Sequence, residues 1–176
     1  MRAKISPETL ELHQKRVAEV AISPSSARRM GPSGTVKMAR QFLRDLDLKR
    51  FSLSSRVGFE LVLDEVTDEL RSALQIESWG VARKLLNIFL RDVAYNVFLR
   101  DHYQFEKLEG YLELPLDSHV AKWLQQEVGS GLLPRWKSVT SISQELNARY
   151  QSAAEDVASA MGLARVHLDL YAWRAS

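Results

Sequence analysis

Apolar positions along this chain recur at intervals of three and four and almost never alternate, a pattern that predicts helices. Ser6-Pro7-Glu8 opens the first: a capping hydroxyl, a proline at the first helical position and an acid near the positive end of the dipole. Leu10, Val17 and Val20 supply its apolar stripe. Turn residues between Ser23 and Gly34 predict a loop, and Arg28 and Arg29 within it suggest a basic lip. A second helix is expected over Val36 to Leu48, with Phe42 and Leu46 turned inward. A third is expected over Arg56 to Leu74, whose apolar residues fall at 59, 62, 63, 66, 70, 73 and 74.

The stretch Gln75 to Gly80 interrupts this pattern, and a long helix is expected from about Val81 to Arg100. Pro115 blocks helix after an irregular run from Phe105. Asp117 then stands where an N-cap belongs, ahead of a short helix carrying Val120 and Leu124. Ser141-Ile142-Ser143-Gln144 fits a capping box for a helix to about Met161, closed by Gly162. The last helix spans His167 to Trp173. These signals predict an all-α unit of six to eight helices over residues 1–176. Its N-terminal helices would occupy 1–75, a central segment 76–128 and the C-terminal helices 135–176.

Composition narrows the chemistry. The chain has 176 residues, 24 Lys and Arg against 22 Asp and Glu, and no Cys. The missing thiol excludes disulfides, cysteine catalysis and Cys-ligated zinc or iron–sulfur sites. The four His residues, at 13, 102, 119 and 167, include no pair four apart on one helix, so no metal site is expected. A net charge of +2 permits a nucleic-acid partner without requiring one. The longest apolar candidate, Leu85 to Leu99, is broken by Asn87, Arg91, Asp92 and Asn96, so no membrane span is expected. An intracellular, cytoplasmic protein follows as the expectation, with a monomer favoured.

Three stretches carry candidate chemistry. In Trp79-Gly80-Val81-Ala82-Arg83-Lys84-Leu85-Leu86-Asn87 a glycine turn leads into a helix, with Lys84 expected in its first turn. Backbone N–H groups there suit a phosphate, and a cation there is poorly explained by helix electrostatics. A solvated lysine beside Arg83 is the plainer alternative. In Leu114-Pro115-Leu116-Asp117-Ser118-His119-Val120 the carboxylate either caps a helix or presents a fixed charge to a site. In His167-Leu168-Asp169-Leu170-Tyr171-Ala172-Trp173, Asp169 and Trp173 are four apart on one face. They can bond and stack a nucleobase, or the tryptophan can plug the core. His119 is expected to face solvent, and Trp79, Trp123 and Trp136 to pack.

Together these stretches resemble the helix–hairpin–helix DNA glycosylase superfamily, most closely its archaeal 8-oxoguanine DNA glycosylases. Gly80-Val81-Ala82-Arg83-Lys84-Leu85-Leu86-Asn87 is similar to the second half of the hairpin with its nucleophilic lysine. Ala82 stands where the family has its second glycine. Pro115-Leu116-Asp117-Ser118-His119-Val120 is similar to the signature holding the catalytic aspartate, and the C-terminal stretch to the segment whose Asp and Trp line the base pocket. The elements keep the family's order, and 33 residues separate Lys84 from Asp117, as in the archaeal branch rather than the endonuclease III group.

The resemblance implies an all-α fold with a helix–hairpin–helix motif and a catalytic cleft between helical lobes. It implies a base-excision repair enzyme, a bifunctional DNA N-glycosylase and AP lyase without cofactor, acting on DNA with a damaged or modified base, 8-oxoguanine first. Lys84 and Asp117 would be catalytic, Asp169, Trp173 and Arg91 would bind the base, and Gly80, Ala82 and Arg83 would hold phosphates. The protein would associate with the nucleoid when acting. The alternatives are a non-catalytic DNA-binding module on the same fold and a helical interaction protein with no nucleic-acid role. Chain geometry allows Lys84 and Asp117 to meet. The helix carries the chain roughly 24 Å from Lys84 to Arg100. The residues that follow can return at most roughly 55–60 Å when extended.

Overall fold

The structure, a computed structural model, describes residues 5–27, 30–52, 55–129 and 131–174. The expected basic lip at Arg28 and Arg29 lies outside the described residues. Eight α-helices form the described chain: α1 (Pro7–Ala21), α2 (Thr35–Asp45), α3 (Arg56–Ala73), α4 (Trp79–Tyr95), α5 (Val97–Tyr103), α6 (Ser118–Val128), α7 (Gln144–Ala160) and α8 (Leu168–Arg174). Short 3-10 turns at Leu48–Phe51, Phe105–Lys107, Val139–Ser141 and Arg165–His167 connect some of them, and there is no strand among the described residues.

The caps follow the sequence in most places. The Ser6 hydroxyl accepts from the Thr9 N–H, and Asp117 accepts from the His119 and Val120 N–H groups at 2.9 Å each. At the end of α7, Gly162 takes φ +69° and the Leu163 N–H reaches back to the Ala158 carbonyl. Two boundaries differ from expectation. The cap of α7 is Ser143, which accepts from the Leu146 N–H, while the Ser141 hydroxyl is taken by the Ser138 carbonyl. The long central helix is also broken, because the Asn96 side chain accepts from the N–H groups of Phe98 and Leu99 and starts α5 afresh.

Helix α4 is the axis of the molecule. It touches α1, α2, α3, α5 and α7, and each residue from Trp79 to Leu90 is buried. A helix covered on all sides ought to be apolar all round. This one instead carries Arg83, Lys84 and Asn87 into the interior. Burying such groups is costly unless each finds a partner, so these three mark where the fold departs from packing alone.

Candidate active site

Two of the three buried polar residues belong to a structural network. The Arg83 guanidinium bonds the Thr67 hydroxyl at 2.8 Å, pairs with Asp64 and lies 3.2 Å from Glu113. Its plane also covers the Trp79 ring at 4.6 Å. Asn87 donates to Glu113 at 2.8 Å, and Asn147 donates to the same carboxylate. Of these groups, Asp64, Trp79, Arg83, Glu113 and Asn147 line a charged groove of about 750 Å³ on the Arg83 flank of α4. Its arginines are committed to carboxylates there: Arg56 and Arg165 to Glu155, Arg83 to Asp64 and Glu113. The arginines of the groove therefore serve salt bridges.

Lys84 points the other way. Its nitrogen donates to the Ser26 carbonyl at 3.3 Å and lies 4.0 Å from Asp117 Oδ2. Lys84 stands on the second turn of α4, because the helix begins at Trp79 and not beyond Gly80. Burial pushes its amine below the ordinary lysine range, although the Asp117 and Asp169 carboxylates oppose that shift. Asp117 stays one-quarter exposed while capping α6.

Lys84 opens onto a cleft of about 390 Å³ formed by the end of α1 and the loop after it, α4, the turn before α6, and α8. Arg91, Asp117, Asp169 and Trp173 line the same space. All five residues expected to be catalytic or base-binding thus come together, although they span 84 to 173 in the sequence. Arg91 stands two turns beyond Lys84 and pairs with Asp169 from α8. It also bonds its neighbour Asp92, Nε to Oδ1, at 2.9 Å. Burial holds the Asp169 carboxyl above the ordinary range, with the Arg91 charge opposing it. His167 anchors the turn before α8 through Glu109 at 2.6 Å and the Tyr95 hydroxyl at 2.9 Å.

Trp173 does not plug the core: it is 57% exposed at the cleft wall. Its indole lies on the His119 imidazole at 4.8 Å between ring centroids and 29° between planes. The imidazole is held by its Nε2–H donating to the Ala172 carbonyl at 2.7 Å. The sequence pattern suggests a solvated His119. The structure instead makes it the backing of the tryptophan. The available signal was its place two residues after the Asp117 cap, which turns it toward α8.

The residues expected to bind phosphate, Gly80, Ala82 and Arg83, are buried on α4. Gly80 is helical, and a Cβ there would lie 2.3 Å from the Val139 carbonyl oxygen and 2.8 Å from Ile142 Cβ. Ala82 is fully buried, and Arg83 is committed as described. Gly80 and Ala82 face protein, and Arg83, which lines the charged groove, is held there by Asp64 and Glu113. In the turn between α3 and α4 the left-handed residue is Gln75, at φ +54°. Trp79 and Trp123 pack in the core as expected, and Trp136 lies half-buried with its ring edge against Tyr150.

Comparison with protein-family models, curated proteins and solved structures finds no match for this chain. Among the described residues, no helix is long and apolar enough to cross a membrane, and no cluster of His, Asp and Glu has the makings of a metal site.

Proposed function

We propose that the chain is a bifunctional DNA glycosylase and AP lyase of helix–hairpin–helix type, with Lys84 as nucleophile. One observation carries this reading: a lysine with a depressed pKa shares a cleft with a carboxylate at 4.0 Å, a tryptophan face and a second, buried carboxylate. The order of these residues along the chain and the pairing of α3 with α4 through the turn 74–78 lend further support.

The chemistry follows from the positions. A nucleotide extruded from the duplex brings C1′ within reach of a side chain. Lys84 attacks C1′ as a neutral amine, the bond to the base breaks, and the base leaves with its electron pair. Asp117 stabilises the positive charge that develops on the sugar as that bond lengthens. The new bond to nitrogen lets the sugar ring open to an imine. Loss of a C2′ proton then expels the 3′ phosphate. Trp173 provides a stacking face for the base, and Asp169, held by Arg91, accepts from an N–H on its edge. An oxidised purine such as 8-oxoguanine is the first substrate to try.

Borohydride trapping tests the reading. Wild-type protein should form a covalent adduct with DNA carrying an abasic site, and Lys84→Gln should lose the adduct while keeping its helical circular dichroism. An adduct of wild-type yield in Lys84→Gln would remove Lys84 as nucleophile. Salt-dependent DNA binding without an adduct in the wild type would leave the non-catalytic DNA-binding module.

A further inference from the structure

The burial of Gly80, Ala82 and Arg83 leaves the question of where DNA phosphates would be held. A second surface answers it. Between α1 and α2 runs a groove of about 380 Å³ lined by Lys15, Lys37, Arg40 and Arg44, with Glu19 as its one acid. Four cations line the groove with Glu19, and of these Arg44 is paired with its neighbour Asp45 at 2.9 Å, which leaves Lys15, Lys37 and Arg40 outside any ion pair among the described residues.

The cations are ordered by helix geometry. Lys37, Arg40 and Arg44 follow at three and four residues, so they form one row on α2. That row is about 10 Å long at 1.5 Å per residue. One DNA strand presents a phosphate about every 3.4 Å of axis, so the row spans about three phosphate steps. Lys15 faces it from α1. Among the described residues neither Lys15 nor Lys37 has a carboxylate within ion-pair distance.

The groove also adjoins the cleft. Arg40 donates to the Ile22 carbonyl at 2.8 Å, and the next residue, Ser23, lines the cleft. Helix α1 contributes Glu19 to the groove and Val20 and Ala21 to the cleft. Lys15 is about 9 Å along the helix from Ala21. A strand entering the cleft therefore leaves it beside this row.

We propose that the α1–α2 groove binds the phosphodiester backbone flanking the nucleotide in the cleft, taking the role that the buried hairpin residues cannot fill. This inference rests on the glycosylase reading for its choice of DNA as partner, and its test is separable from that reading. Lys15→Gln and Lys37→Gln together remove two phosphate contacts and touch neither the cleft nor an ion pair. Binding is measured to a short labelled duplex with a tetrahydrofuran abasic-site analogue, at salt concentrations from about 50 to about 200 mM.

The log–log salt slope of the double variant should be shallower by about 1.8, the value for two contacts, with roughly tenfold weaker binding at low salt. Its melting temperature and its borohydride adduct at saturating DNA should match the wild type. A wild-type slope in the double variant overturns the groove while leaving the adduct, and so the lyase reading, intact. The shallower slope in a protein that never forms an adduct establishes the groove and removes the lyase reading. Wild-type protein that binds anionic phospholipid vesicles but not duplex at low salt overturns the groove as a DNA surface.

Discussion

Arg91 and Asp169, 78 residues apart in the chain, form an ion pair in the wall of the cleft that also holds Lys84. The pair holds the carboxylate in the cleft wall, where the proposed reading has it meet the base edge, and the carboxylate contributes to the field felt by the lysine. The Asp169 charge opposes the effect of burial on the Lys84 amine. Asp169→Asn therefore depresses the Lys84 pKa further, and the neutral amine is populated at lower pH. The acidic limb of the pH–rate profile for β-elimination on abasic DNA, where no base edge needs reading, should move to lower pH. A limb that stays in place or moves to higher pH would separate Asp169 from the nucleophile.

Asp117 combines an observed cap with a proposed catalytic charge, and substitution can divide the two. Its carboxylate caps α6 through two N–H groups and stands 4.0 Å from Lys84. Asparagine is as good a cap as aspartate, so Asp117→Asn should retain the wild-type melting temperature. It should slow base excision by about 10²-fold or more, because the charge that stabilises the sugar cation is gone. Asp117→Ala should lose the same rate and also about 1 kcal/mol of stability, typical of a lost cap. Normal excision by Asp117→Asn would leave that residue as a cap only.

The helices were legible because burial imposes its period on the sequence: Phe59, Leu63, Val66 and Leu70 face inward on α3 as their spacing requires. The caps at Ser6 and Asp117 were legible because their interactions are local. The break at Asn96 was not, since it turns on whether one amide bonds the next turn's backbone or solvent. The five cleft residues came from resemblance to a family order and not from periodicity, which treats Lys84 and Arg83 alike. Only the packed structure separates them, directing Arg83 to Asp64 and Lys84 to Ser26. The covering of Gly80 and Ala82 was not legible, because a motif records residue types and not what packs on them. Here the 139–142 segment covers that position.

His119 supports the indole of Trp173 from behind and does not line the cleft itself. His119→Ala removes that support but keeps the backbone N–H that holds Asp117. A base stacked on an aromatic face is worth about 1–3 kcal/mol, and a platform left to swing forfeits part of it. Excision of a base should fall about tenfold in kcat/KM, while adduct formation on abasic DNA stays at the wild-type level. His119→Phe, which keeps a flat ring without the bond to Ala172, should recover part of the loss. Equal losses on both substrates would show that His119 supports the fold and not the platform.

Residues 75 and 80 depart from ordinary conformational preference in opposite directions. Gln75 adopts a left-handed conformation that glycine takes without strain, whereas Gly80 occupies a helix, where alanine is normally better. Gln75→Gly relieves a strain of about 1–2 kcal/mol, less what the added freedom of the unfolded chain costs. It should therefore raise the melting temperature by up to about 2–4 °C. At position 80 packing outweighs propensity: an added Cβ meets the Val139 backbone oxygen at 2.3 Å, and backbone yields less readily than a side chain. Gly80→Ala should destabilise by about 1–3 kcal/mol despite its better helix propensity. Thermal unfolding followed by circular dichroism reads both effects. A Gly80→Ala protein more stable than the wild type would mean that α4 and the 139–142 segment do not approach as closely as the fold requires.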